Sequence, residues 1–165
     1  MKKIRVWSIV ALLFSSIFIG GCSQASDENT ATIQTYLEHE FTGPNEELSN
    51  ILDQGLHPPE LDSYLEERYG DIIVDLESMV NRNYVLVFLR DAHLNGYQLH
   101  PKNITIKKIE GTENNVYDYE VEVEYSKDEQ TNIATVTGKI NLDDNRKILM
   151  IRKMDGLGLL EELRN

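Results

Sequence analysis

The chain has 165 residues, 16 Lys+Arg against 28 Asp+Glu, and a formal charge of -12. The first 21 residues hold three of the basic side chains and no acidic ones, which leaves 13 basic against 28 acidic in the rest, a balance of -15. That length suits one domain, and so acidic a surface repels polyanions, which argues against nucleic acid as a partner and against flat adhesion to anionic lipid.

Residues 1–5 are basic, and residues 6–19 form an apolar run interrupted only by Ser8, Ser15 and Ser16. A positive end followed by a greasy middle is the layout of a secretory signal. As a permanent span it is short, because residues 6–21 reach about 24 Å as a helix against a hydrocarbon core of about 30 Å. The run closes on Gly20, Gly21 and Cys22, and Cys22 is the sole cysteine, so it has no partner for an intramolecular disulfide. The stretch Ile19-Gly20-Gly21-Cys22 resembles the lipobox of bacterial lipoproteins, with Ile where Leu is commoner. The resemblance implies a diacylglyceryl thioether on Cys22, cleavage between Gly21 and Cys22, and often acylation of the new amine, as by palmitate. Residues 1–21 are thus expected to be a lipoprotein signal peptide, residues 22–29 a tether, and residues 30–165 a single domain. The expected location is the outer face of the cytoplasmic membrane, with the bilayer held through acylated Cys22. The polar residues 23–29 reach at most about 25 Å, which keeps the domain close to the lipid.

Within the mature chain, Ile33, Tyr36, Leu37 and Phe41 form a helical stripe that Gly43-Pro44 breaks. Pro44 suits the first turn of a second helix with Glu46 and Glu47 at its positive end, Leu48, Ile51 and Leu52 on its buried side, and Gly55 after it. A third helix opens at His57-Pro58-Pro59-Glu60, aligns Leu61, Tyr64, Leu65 and Tyr69, and stops at Gly70. Over residues 71–94 the positions Ile72, Leu76, Met79, Val80, Asn83 and Val87 keep the helical period. This predicts one long helix ending at Asn95-Gly96, with a strand over residues 84–89 (YVLVFL) as the alternative.

From Ile104 onward the period is two. Strands are expected over residues 104–109, 116–125, 131–142 and 148–153, with turns at 111–115, 127–130 and 143–147, and residues 157–163 as a terminal helix. In the second strand Tyr117, Tyr119, Val121, Val123 and Tyr125 share one face, while Asp118, Glu120, Glu122 and Glu124 share the other. Setting Ser126 opposite Thr131 places Tyr119 on Gly138, Val121 on Val136 and Asp118 on Lys139. A slip of one residue would mix the faces along the whole ladder. Helices followed by strands argue for an α+β domain. The succession resembles the cystatin-like, NTF2-like cone, with N-terminal helices packed on a curved antiparallel sheet. The resemblance implies a pocket on the concave face, open to a ligand or filled, with Tyr84, Tyr117, Tyr119 and Val121 as its lining; Tyr97 and His93 are further polar groups within reach of such a cone.

The four histidines, His39, His57, His93 and His100, show no metal spacing, so no metal and no cofactor is expected. The acidic ladder reads as a solvated face, its neighbours about 6.6–6.8 Å apart and too distant to share a proton. Asp143-Asp144-Asn145 lacks the Gly and distant Glu of a calcium loop and reads as a hairpin turn. No nucleophile elbow, phosphate loop, dinucleotide fingerprint or zinc-protease motif is present. The function expected is a non-catalytic binding or interaction module that contacts an envelope protein or a small ligand near the bilayer. The alternatives are a small enzyme using the cone, and a structural part of an envelope assembly.

Overall fold

The computed structural model describes residues 28–111 and 115–165; the signal, the lipobox with Cys22 and part of the turn at 111–115 lie outside them. The fold is α+β. Six helices and one four-stranded antiparallel sheet of order β1-β2-β3-β4 make it up among the described residues. No helix among them is long and apolar enough to cross a membrane.

Helix α1 (Glu28–Phe41) takes in Glu28 and Asn29, which are polar enough in sequence to pass for tether, and buries Ile33, Tyr36, Leu37 and Phe41. Helix α2 (Glu46–Leu52) starts two positions after Pro44. Asn45 is its cap, and the Asn45 side-chain oxygen accepts from the Leu48 N–H at 2.8 Å. Helix α3 (Pro59–Tyr69) carries Pro59 in its first turn and buries Leu61, Tyr64, Leu65 and Tyr69.

The long helix expected over residues 71–94 does not form, and neither does the alternative strand. The segment instead gives helix α4 (Leu76–Asn81), a turn, and helix α5 (Val87–Asn95). Three contacts break it. Ile148 donates to the Ile72 carbonyl and accepts from the Val74 N–H, which sets Ile73 as a parallel bridge beside the last strand. Asp75 then caps α4 through the Ser78 N–H. Asn83 closes α4 at φ 58°, with the Asn83 N–H on the Val80 carbonyl and the Tyr84 N–H on the Met79 carbonyl, both at 3.0 Å. This is the paired closure of a helix on a left-handed residue, a conformation that asparagine tolerates. Leu86 follows at φ 65° and opens α5 with no side-chain cap.

Strand β1 (Gln98–Lys108) is longer than expected. It admits Pro101 because it lies at the sheet edge and bulges between Pro101 and Asn103. The hairpin of β2 (Asn115–Lys127) and β3 (Gln130–Leu142) takes the expected register throughout, with Ser126 opposite Thr131, Tyr119 opposite Gly138 and Asp118 opposite Lys139. Asp128 and Glu129 both have positive φ, as a two-residue hairpin turn requires. Strand β4 (Ile148–Asp155) and helix α6 (Leu157–Leu163) complete the chain. Before β4, the Asp143 carboxylate accepts from the backbone N–H groups of Asn145 and Lys147, so it serves the turn.

Tyr117, Tyr119, Val121, Val123 and Tyr125 are all buried under the helices. On the other face Lys139 pairs with Asp118 at 2.8 Å, Lys102 pairs with Glu124 at 3.0 Å, and Asn103 donates to Glu122. The Tyr119 ring covers the bare backbone of Gly138; a Cβ there would overlap Tyr119 Cζ and the Lys153 carbonyl oxygen. Gly138→Val and Val121→Asp should therefore each cost at least ~3 kcal/mol, by overpacking and by burying an unpaired charge. Glu122→Lys should cost less than about 0.5 kcal/mol, since its carboxylate lies on the solvated face. Denaturant midpoints measure all three, and a Glu122 variant as damaged as the Val121 variant would mean the two faces have been confused.

Candidate functional site

Two places in the fold gather chemistry, one inside and one outside. The inner one centres on Glu40. On α1 this residue falls one turn beyond Tyr36 and Leu37, so the helix carries it to the core side, where it is 0 % exposed. Its carboxylate is fully engaged: the Tyr69 hydroxyl donates to Oε1 at 2.7 Å, and the Leu86 N–H donates to Oε2 at 2.9 Å and to Oε1 at 3.2 Å. Tyr36 lies one turn away and donates its hydroxyl to the Tyr84 carbonyl at 2.5 Å. Burial pushes the Glu40 carboxyl up to about 7, against the opposing pull of the Tyr69 and Leu86 hydrogen bonds and of Arg68. Burial likewise raises Tyr36, Tyr69 and Tyr119, with the nearby Glu40 charge adding to each. His39, beside Tyr69 at 5.4 Å between ring centroids, is lowered by its own burial and by Arg68.

Of the residues expected to line a cone pocket, Tyr117, Tyr119 and Val121 are core side chains and Tyr84 is half-buried against them. Tyr119 shares the Glu40 neighbourhood. The Tyr117 and Tyr119 hydroxyls have no hydrogen-bond partner among the described residues. Tyr36, Phe41, Tyr69, Phe88 and Tyr117 fill the space between helices and sheet. Tyr97 meets Tyr125 in a tilted ring contact, 6.0 Å between centroids, and His93 bonds Asp53 at 3.0 Å. Residues 1–27, with Cys22, lie outside the described residues. No group of three His, Cys, Asp or Glu among the described residues is placed to hold a metal ion.

The outer place is a groove of about 410 Å³ where α2 and its following loop meet α5. Its apolar lining is Leu52, Leu56, Val87 and Leu94, and its charged lining includes Arg90, Asp91 and Arg164. Leu56 is 74 % exposed and Leu94 72 %, a large apolar surface to leave in water. A second recess, of about 480 Å³, lies on the outer sheet face among Lys107, Asp118, Glu120, Lys139 and Lys153, whose charges largely answer one another.

Sequence reasoning missed Glu40, although one signal for it was present. Position 40 stands three and four residues from Leu37 and Tyr36, on the apolar stripe, where a carboxylate is out of place unless it is bonded. Compared with known proteins, the sequence matches no family model, no curated protein and no solved structure.

A carboxyl raised by folding stabilises the fold fully below its unfolded value near 4.5, and that stability is lost as pH rises through the folded value of about 7. Stability should accordingly fall between pH 5 and pH 8, by at most ~3 kcal/mol from this group. In Glu40→Gln, where the amide oxygen still accepts from Leu86, that slope should flatten. Denaturant midpoints taken across the interval check this, and a Glu40→Gln profile as steep as the parent's would remove Glu40 as the cause.

Proposed function

We propose that the chain is a lipid-anchored lipoprotein of the outer face of the cytoplasmic membrane, whose domain is a non-catalytic binding or interaction module. The observation that carries the second half is where the chemistry lies. The buried acid spends both oxygens on backbone and tyrosine, while the large exposed leucines stand around an open groove on the helical side. A carboxylate that is 0 % exposed and holds three hydrogen bonds is poorly placed to meet a substrate. An open groove that sets exposed leucines beside placed charged groups is the kind of surface that takes a ligand or a partner. The first half rests on the Ile19-Gly20-Gly21-Cys22 stretch behind a short apolar run. A tether of a few residues would hold the start of α1 within about 20 Å of the lipid.

The rival reading is an enzyme working inside the sheet, supported by the two unpaired tyrosine hydroxyls and the raised carboxyl. It requires the interior to open.

Labelling in bacterial cells tests the anchor. The native chain should incorporate labelled palmitate and lose residues 1–21, and Cys22→Ala should do neither and keep its leader. Equal labelling of the mutant would sink the lipoprotein reading.

A further inference from the structure

The helix-side groove holds a cation with no ion-pair partner. Its one acidic lining residue is already paired, since Arg164 donates from Nε at 2.9 Å and from Nη2 at 2.7 Å to Asp91, and the exposed Asp53 beside it shares a hydrogen bond with His93 at 3.0 Å. Arg90 has no such partner. Its Nη1 donates to the Leu56 carbonyl at 2.9 Å, which fixes the guanidinium against the groove wall, and no carboxylate among the described residues pairs with it. Burial lowers its pKa with no neighbouring charge as a cause, so the cation is partly stripped of water and unanswered. A half-desolvated guanidinium has several N–H donors left, and a carboxylate is the group that fits their fork.

The apolar lining decides what the carboxylate is attached to. Leu52, Leu56, Val87 and Leu94 present side chains from helices and a loop, and no strand edge runs through the groove. A peptide laid there would bring an N–H and a C=O per residue with few partners for them. An alkyl chain brings none. The volume of about 410 Å³ is of small-molecule size, within the range of about 300–1,000 Å³ typical of such sites.

We propose that this groove binds a single-chain carboxylate amphiphile, a fatty acid, with the head on Arg90 and the chain along Leu52, Leu56, Val87 and Leu94. The assignment deepens the binding-module reading above and names its ligand class. Residues 22–165 carry a balance of -15, which repels anions, so one half-buried, unpaired cation beside apolar side chains is selective for position as well as chemistry.

The test is calorimetric titration of the full chain in phosphatidylcholine nanodiscs with sodium dodecanoate, empty nanodiscs serving as the blank. The native chain should give saturable one-to-one binding, at least ~10-fold tighter than dodecyl maltoside, which has the same chain and no charge. Arg90→Met should weaken dodecanoate by ~10-fold or more and leave the maltoside unchanged. Leu94→Asp, a change at an exposed position that leaves the core untouched, should abolish binding of both. Glu122→Lys, on the far sheet face, should bind as the native chain does. No saturable heat, equal affinity for the maltoside, or an undiminished Leu94→Asp variant would overturn the assignment. So would displacement of dodecanoate by an apolar peptide at lower concentration. Should dodecanoate fail while palmitate labelling of Cys22 holds, the anchored reading stands and the ligand is wrong; should the labelling fail while dodecanoate binds, the reverse follows.

Discussion

The structure turns on a carboxylate that water never reaches. Glu40 joins three pieces of chain: its own helix, the end of α3 through the Tyr69 hydroxyl, and the turn before α5 through the Leu86 N–H. Leu86 is held at φ 65°, a conformation that costs a non-glycine residue on the order of 1–2 kcal/mol. Helix α5 opens on that residue without a side-chain cap, and the acid from α1 accepts the N-cap residue's own N–H, the bond that an N3 Glu or Gln makes in a capping box. With the turn fixed in this way, Val85, Leu86, Phe88, Leu89 and Ala92 all enter the core, and α5 lies where Phe88 meets Phe41 at 5.0 Å between centroids. Removing the acceptor would leave a buried N–H and a buried hydroxyl unpaired together, a loss larger than a surface hydrogen bond ever represents.

The sheet could be read from residues because its information is local and redundant. Alternation over residues 116–125, a lysine opposite Asp118 and a glycine under Tyr119 all demand one register, and the hairpin adopts it. Segment 71–94 could not be read this way. Residues 84–89 are apolar all round, so no period marks their direction, and the break at Leu86 depends on an acid 46 positions earlier. Asn83 offered a local hint, since asparagine closes helices on a left-handed residue, yet its place on the helical stripe concealed it. Glu40 itself stood among polar neighbours, Glu38 and His39, and resembled a solvated helix end. Long-range polar clasps of this sort leave a sign only as a polar residue at an apolar helical position.

The same clasp bears on function. An acid raised to about 7 beside tyrosines is chemically able to exchange protons near neutrality. Its setting works against use: every acceptor position that faces a donor is taken, and aromatic rings close the space around it. The groove beside α5 is accessible, and the clasp shapes that too. By fixing where α5 begins, Glu40 sets the position of Arg90 and Leu94 opposite Leu56. The sealed interior and the open exterior are thus two consequences of one buried hydrogen-bond set.

The central claim is that Glu40 is structural and stays closed to solvent in the folded state. Native-state hydrogen exchange of the Leu86 amide tests it most directly, because that N–H is the donor to the buried acid. If the clasp is permanent, the Leu86 amide exchanges only through global unfolding, at the rate of the central β2 amides such as Val121 and Val123. Exchange at Leu86 that is orders of magnitude faster than in β2 would show that the turn opens on its own, admit water to Glu40, and contradict the claim.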